Sequence, residues 1–201
     1  MGGGRSGSGP LLVACDLDGT LLDHEAVPVP GAGEALAELV HAGALFAVVT
    51  GRPLQAASRA TASLGVEPVA FACYHGALVT DAHGAVLRHL PVPPGAGHAV
   101  LARGLAEGVG VTVWDVDEPR ELDSASVIAA EPGPAASRLV LHSDPITAAR
   151  LLGELREEWA GRLRVLPIRP GFIGVFAPDV DNGRYGTGPD GVKAFFDQSL
   201  R

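Results

Sequence analysis

The chain has 201 residues, 47% of them hydrophobic and 19% charged; that is enough apolar material for one domain, or one core with a modest insertion, and it excludes wholesale disorder. A formal charge of −8 with a single lysine, Lys193, argues against a general electrostatic grip on nucleic acid or anionic lipid. Two cysteines, Cys15 and Cys73, give no disulfide framework and point to a reducing, cytoplasmic setting, while no apolar run approaches the ~18 residues that cross a bilayer.

Residues 1–10, MGGGRSGSGP, lack an apolar segment and read as a flexible tail. Gly2 and Ser6 fit an N-acylation pattern, but three successive glycines make such a match cheap. Leu11–Asp16 is a continuously apolar run ending on a carboxylate, which suits a strand buried on both faces. Gly33–Ala42 is expected to be a helix with Leu36, Leu39 and Val40 inward, and Gly43 stops it. Ala44–Thr50 reads as a second buried strand, followed by Gly51-Arg52-Pro53. Pro53 suits the first turn of a helix over Leu54–Leu64, and Val69–Cys73 reads as a third strand. This alternation calls for an open parallel sheet with right-handed crossovers.

Beyond Gly76 the rhythm changes. Gly76–Leu90 reads as a hairpin turning at Ala82-His83-Gly84, and Pro91–Gly97 as a linker. A helix near His98–Glu107 comes next, then strands near Val111–Asp115, Val127–Ala130 and Leu139–His142. Asp144 is placed to cap a long helix over Pro145–Trp159, and strands at Arg164–Ile168 and Phe172–Ala177 follow. Residues 11–91 and 178–201 are thus expected to form the core, and 92–177 an inserted α+β unit with an antiparallel sheet covered by helices on one face. Loop sequence with a short helix near Val192–Leu200 ends the chain.

Chemistry concentrates in Asp16-Leu17-Asp18-Gly19-Thr20. Two carboxylates at i and i+2, at the carboxyl end of a buried strand, lie where open α/β sheets bind ligands. One could attack an electrophile while the other donates a proton to the leaving group and then activates water. A divalent cation would offset the charge of two close carboxylates and a phosphate. The bland alternative is a surface Asx-turn.

DLDGTLLD, followed one helix later by Val48-Val49-Thr50-Gly51-Arg52, resembles the first two motifs of the haloacid dehalogenase superfamily, and most closely its Cof-like phosphatases. Tyr74-His75-Gly76-Ala77 stands where those proteins usually carry Asn-Gly-Ala, and the unit after it resembles their α/β cap. The resemblance implies a Rossmann-like α/β core and a Mg²⁺-dependent phosphatase acting on a small phosphorylated metabolite. It implies Asp16 as nucleophile and Asp18 as general acid/base. Mg²⁺ would sit on the Asp16 carboxylate and the Asp18 carbonyl. Leu17, Gly19, Thr50 and Gly51 would bind the phosphoryl group, and Arg52 and His75 the substrate.

The sequence departs from that pattern near its end. Asn182 stands where the family has a lysine, with Arg184 and Lys193 as the nearby cations, and Asp190 and Asp197 do not reproduce the spacing of the fourth, acidic motif. The resemblance therefore also implies a chain short of the family's last strands, with the opening strand on an edge open to a second copy or a partner. A metal-deficient binding protein, or an enzyme using the two aspartates for acid/base chemistry alone, remain as alternatives. Gly186–Gly191 satisfies a dinucleotide-loop spacing without the strand and helix that fingerprint needs, and the seven histidines show no zinc spacing. Asp115, Asp117 and Glu118 read as a solvated loop, and Trp114 and Trp159 as packing residues.

Overall fold

The computed structural model describes residues 11–116, 119–122 and 136–180. Two five-stranded sheets account for every strand in it. The first runs β1 (Leu12–Cys15), β2 (Leu45–Val49), β3 (Ala70–Cys73), β4 (Leu78–Asp81) and β5 (Val86–His89), in that spatial order. β1, β2 and β3 are parallel, and β3, β4 and β5 are antiparallel. The crossovers are α1 (Ala32–His41) and α2 (Leu54–Ala62). The three expected strands and the hairpin are all present, and among the described residues β1 lies on the sheet edge.

The second sheet is antiparallel throughout, in the order β7 (Pro119–Leu122), β6 (Gly110–Trp114), β8 (Arg138–His142), β10 (Phe172–Phe176) and β9 (Arg164–Arg169). Helices α3 (Pro94–Ala106) and α4 (Pro145–Glu158) cover one face. Alternation sends Val111, Val113, Leu139, Leu141, Val165, Ile173 and Val175 to that face, where they meet Val100, Leu151 and Leu155 of the helices. Burying each such side chain contributes about 1.5–3 kcal/mol. Asp144 caps α4 as expected, its Oδ1 accepting from the Ile146 and Thr147 amides. The opposite face carries Trp114, Leu166 and Phe176 into the first sheet's core cluster.

Four expectations need correction. Helix α3 begins at Pro94, four residues before His98, because a proline is tolerated in the first turn and Gly97 and Gly104 let the helix lie close on the sheet. Pro53 sits just before α2 as its N-cap rather than inside the first turn. Of the α1 residues expected inward, Leu36 is buried, but Leu39 and Val40 stay 39% and 38% exposed. Strand β7 was not anticipated from the sequence PREL, whose partner across the ladder is β6. The expected strand at Val127–Ala130, the tail 1–10, Asp117, Glu118, and everything expected of residues 181–201 lie outside the described residues.

Candidate functional site

The first three strands end on one rim. Cys15 pairs with Val48, so Asp16 follows β1 directly and Thr50 follows β2; the Thr50 amide donates to the Ala72 carbonyl at 2.8 Å. After Asp16 the chain alternates. Leu17 is fully buried while Asp16 and Asp18 face out, and Leu21 and Leu22 return to the core. The Leu17 carbonyl accepts from the Leu21 and Leu22 amides at 3.0 and 2.8 Å, and the Gly19 amide donates to the Leu22 carbonyl at 2.8 Å. Gly19 has a φ of +77°, which a side chain would strain. Three leucines thus pin a tight loop whose two carboxylates share one side.

Those carboxylates meet different partners. Asp16 Oδ1 accepts from the Leu17 amide at 2.8 Å. Burial raises its pKa, the Leu17 hydrogen bond opposes this, Asp18 raises it further and Arg52 lowers it. Asp18 is gripped at both oxygens by Arg52: Nε donates to Oδ2 at 2.9 Å and Nη2 pairs with Oδ1. The Arg52 amide in turn donates to Thr50 Oγ1 at 3.2 Å. Arg52, expected among the substrate-binding residues, is paired with Asp18 in this structure.

The turn after β3 completes the rim. Tyr74, His75 and Gly76 all have positive φ, at 51°, 58° and 90°. The Tyr74 amide donates to the Arg52 carbonyl at 3.2 Å and the His75 amide to the Thr50 carbonyl at 3.1 Å, which ties this turn to the Thr50–Arg52 loop. His75 lies against Gly51 so closely that a Cβ there would come within 2.8 Å of the imidazole. Its ring also meets Phe176 edge-on, with centroids 5.5 Å apart. Burial pushes the His75 pKa down, and Arg138 and Arg164 push it further.

Sequence reasoning missed Arg138. It opens β8 in the second sheet, is only 7% exposed, and reaches the first sheet's rim, where Nη1 donates to the Gly51 carbonyl at 3.5 Å. Its guanidinium carbon lies 4.8 Å from the Trp114 ring centre and 5.2 Å from that of Tyr74, whose hydroxyl donates to the Asp115 carbonyl at 3.2 Å. No spacing signal marks a lone arginine at a strand start. Trp114, expected only to pack, stands at this junction. The two thiols are unpaired; burial raises both, Cys73 to about 12, and Asp16 adds to the effect on Cys15.

For a cation, the loop offers hard oxygen donors: the Asp16 carboxylate and the Asp18 carbonyl. Among the described residues no group of three or more His, Cys, Asp and Glu side chains converges as a metal site. Magnesium, which keeps several waters and binds through one or two carboxylates plus a substrate phosphate, suits so sparse a set. The mutual influence of Asp18 on Asp16 is the repulsion such an ion would relieve. A surface cavity of about 440 Å³ between Pro28 and Val66 contains none of these residues.

Comparison with known proteins gives a consistent picture. A model of haloacid dehalogenase-like hydrolases matches residues 13–113. The fold is similar to that of a haloacid dehalogenase-like hydrolase from Bacteroides thetaiotaomicron, with a TM-score of 0.75 and 13% identity over 94% of this chain and 77% of that one. A phosphatase of the same superfamily from the same organism gives 0.70 and 16%, covering 98% and 75%. A subclass IIB sugar phosphatase gives 0.64 and 14%, covering 96% and 77%. At these identities the likeness is one of fold. No curated protein matches by sequence, and among the described residues no helix is long and apolar enough to cross a membrane.

Proposed function

This chain belongs to the haloacid dehalogenase-like hydrolase family, and on that footing we propose that it is a Mg²⁺-dependent phosphatase of small phosphorylated metabolites, working through an aspartyl-phosphate. The observation that carries this reading is the DLDGT loop, which turns Asp16 and Asp18 to one side of the rim beside Thr50 and Gly51. A sugar phosphatase among the proteins of similar fold agrees with a small phosphorylated substrate.

In the proposed reaction an Asp16 carboxylate oxygen attacks phosphorus as the bond to the leaving oxygen breaks. Asp18 gives its proton to that oxygen. Water then attacks the phosphoryl group, Asp18 takes the water's proton, and inorganic phosphate leaves with Asp16 restored. The amides of Leu17–Gly19 and Gly51 and the Thr50 hydroxyl would stabilise charge on the transferring oxygens. Mg²⁺ held by the Asp16 carboxylate and the Asp18 carbonyl would supply electrostatic compensation. For Asp18 to carry a proton, one of its oxygens must leave Arg52, so Arg52 positions the acid before turnover and yields it during turnover. His75 would contact the leaving portion of the substrate. Residues 92–177 act as a cap over the 11–91 core in this reading, and two free thiols suit the cytoplasm.

Release of phosphate from p-nitrophenyl phosphate with Mg²⁺ tests it. Asp16→Asn should lower turnover by about a thousandfold or more, as loss of a covalent nucleophile does, and removal of the metal with EDTA should abolish it reversibly. Substrate binding without phosphate release in the unmodified protein would instead mark a non-catalytic relative.

A further inference from the structure

Arg138 is a buried cation with work left undone. A guanidinium carries five N–H bonds in a fixed fork. One long hydrogen bond reaches the Gly51 carbonyl, and Nε is buried without a partner. Among the described residues no carboxylate lies within ion-pair distance of it, whereas Arg52 is taken up by Asp18. Burial drives its pKa down to about 10, so the fold holds this charge at a cost. A strut serving only to join the two sheets would satisfy its donors or be apolar.

The surroundings hold it at the rim. Tyr74 and Trp114, with ring centres 6.4 Å apart, pack against the guanidinium and fix it in place. Arg138 and Arg164 act electrostatically on His75, whereas Asp16 feels Asp18 and Arg52. Arg138 and His75 both lie against Gly51, so the cationic ground adjoins the loop after β2.

We infer that Arg138 is a specificity-determining residue that receives a second oxyanion, a carboxylate or a further phosphate, on the leaving portion of the substrate. This rests on the phosphatase reading and narrows it to phosphomonoesters that carry two anionic groups. A forked donor matches either oxyanion through two parallel hydrogen bonds.

Calorimetric binding to the whole chain carrying Asp16→Asn, which prevents turnover, tests the inference with two matched pairs of probes. Phosphoglycerate and glycerol phosphate differ by a carboxylate; fructose bisphosphate and fructose monophosphate differ by a phosphate. In at least one pair the more anionic member should bind about tenfold more tightly, as a charge-assisted pair provides. Arg138→Met should erase that difference while leaving binding of the less charged member within about twofold. Arg138→Lys, which keeps the charge and loses the fork, should retain only part of the discrimination, and it serves should Arg138→Met fail to fold. Equal binding within both pairs, or equal weakening of both members by either variant, overturns the inference. Discrimination in binding with no phosphate released from any probe by the unmodified protein would overturn the phosphatase reading and leave the anion site standing.

Discussion

At the residue scale, His75 couples the rim to pH. Its φ of 58° and that of Tyr74, 51°, are backbone conformations costing about 1–2 kcal/mol each for residues with a Cβ. They persist because both amides are tied to the neighbouring loop. The imidazole is partly buried and feels Arg138 and Arg164, so it titrates below the ordinary 6.5. The unfolded chain therefore binds this proton first as pH falls, and stability present above 6.5 drains away below it. Thermal unfolding of His75→Gln should lose less between neutral and mildly acidic pH than the unmodified protein does. Asp16 responds in the opposite sense. Burial and the neighbouring Asp18 raise its carboxyl pKa above the ordinary value, and Arg52→Gln, which removes a lowering influence, should move it higher still in the metal-free protein, as an NMR titration of the carboxyl would show. The DLDGT carboxylates were legible because an alternating loop at a strand end reports its own direction. The Arg52 grip on Asp18, 34 residues away, and the Arg138 contact to Gly51, 87 residues away, were not legible, because each depends on how distant elements are juxtaposed.

At the scale of elements, two helical glycines behave oppositely. A Cβ on Gly104 of α3 would come within 2.9 Å of both Leu141 and Val111, whereas one on Gly153 of α4 would meet nothing within 4 Å. Gly104→Ala should therefore destabilise by about 1–3 kcal/mol through overpacking. Gly153→Ala should stabilise by about 0.5–1 kcal/mol through helix propensity alone. Paired melting curves would show both signs. Periodicity recovered each helix and nearly every described strand, since buried runs and capping residues are local signals. It misjudged α1, because a helical stripe of apolar residues does not say how wide a face the sheet covers, and it misplaced the start of α3, because glycines that permit close packing resemble those of a linker.

For the molecule as a whole, the outer side of β1 has no strand beside it among the described residues, and Leu11 nearby is 63% exposed. An open parallel edge offers unpaired amides and carbonyls to another chain. Light scattering over a dilution series should show mass rising with concentration, and Leu11→Lys should reduce the rise; a monomer that holds at every concentration would contradict this. The order of elements along the sequence already separated the two sheets, but it could not say that the uncapped face of the second would bring Trp114, Arg138 and Phe176 to the first sheet's rim.

The sulfur chemistry has a practical corollary. With both native thiols held protonated well beyond neutrality, alkylating reagents encounter almost no thiolate. A cysteine introduced at Ile146, which is 83% exposed at the start of α4, would then be the fast-reacting handle. A fluorophore could be attached there without first removing either natural cysteine.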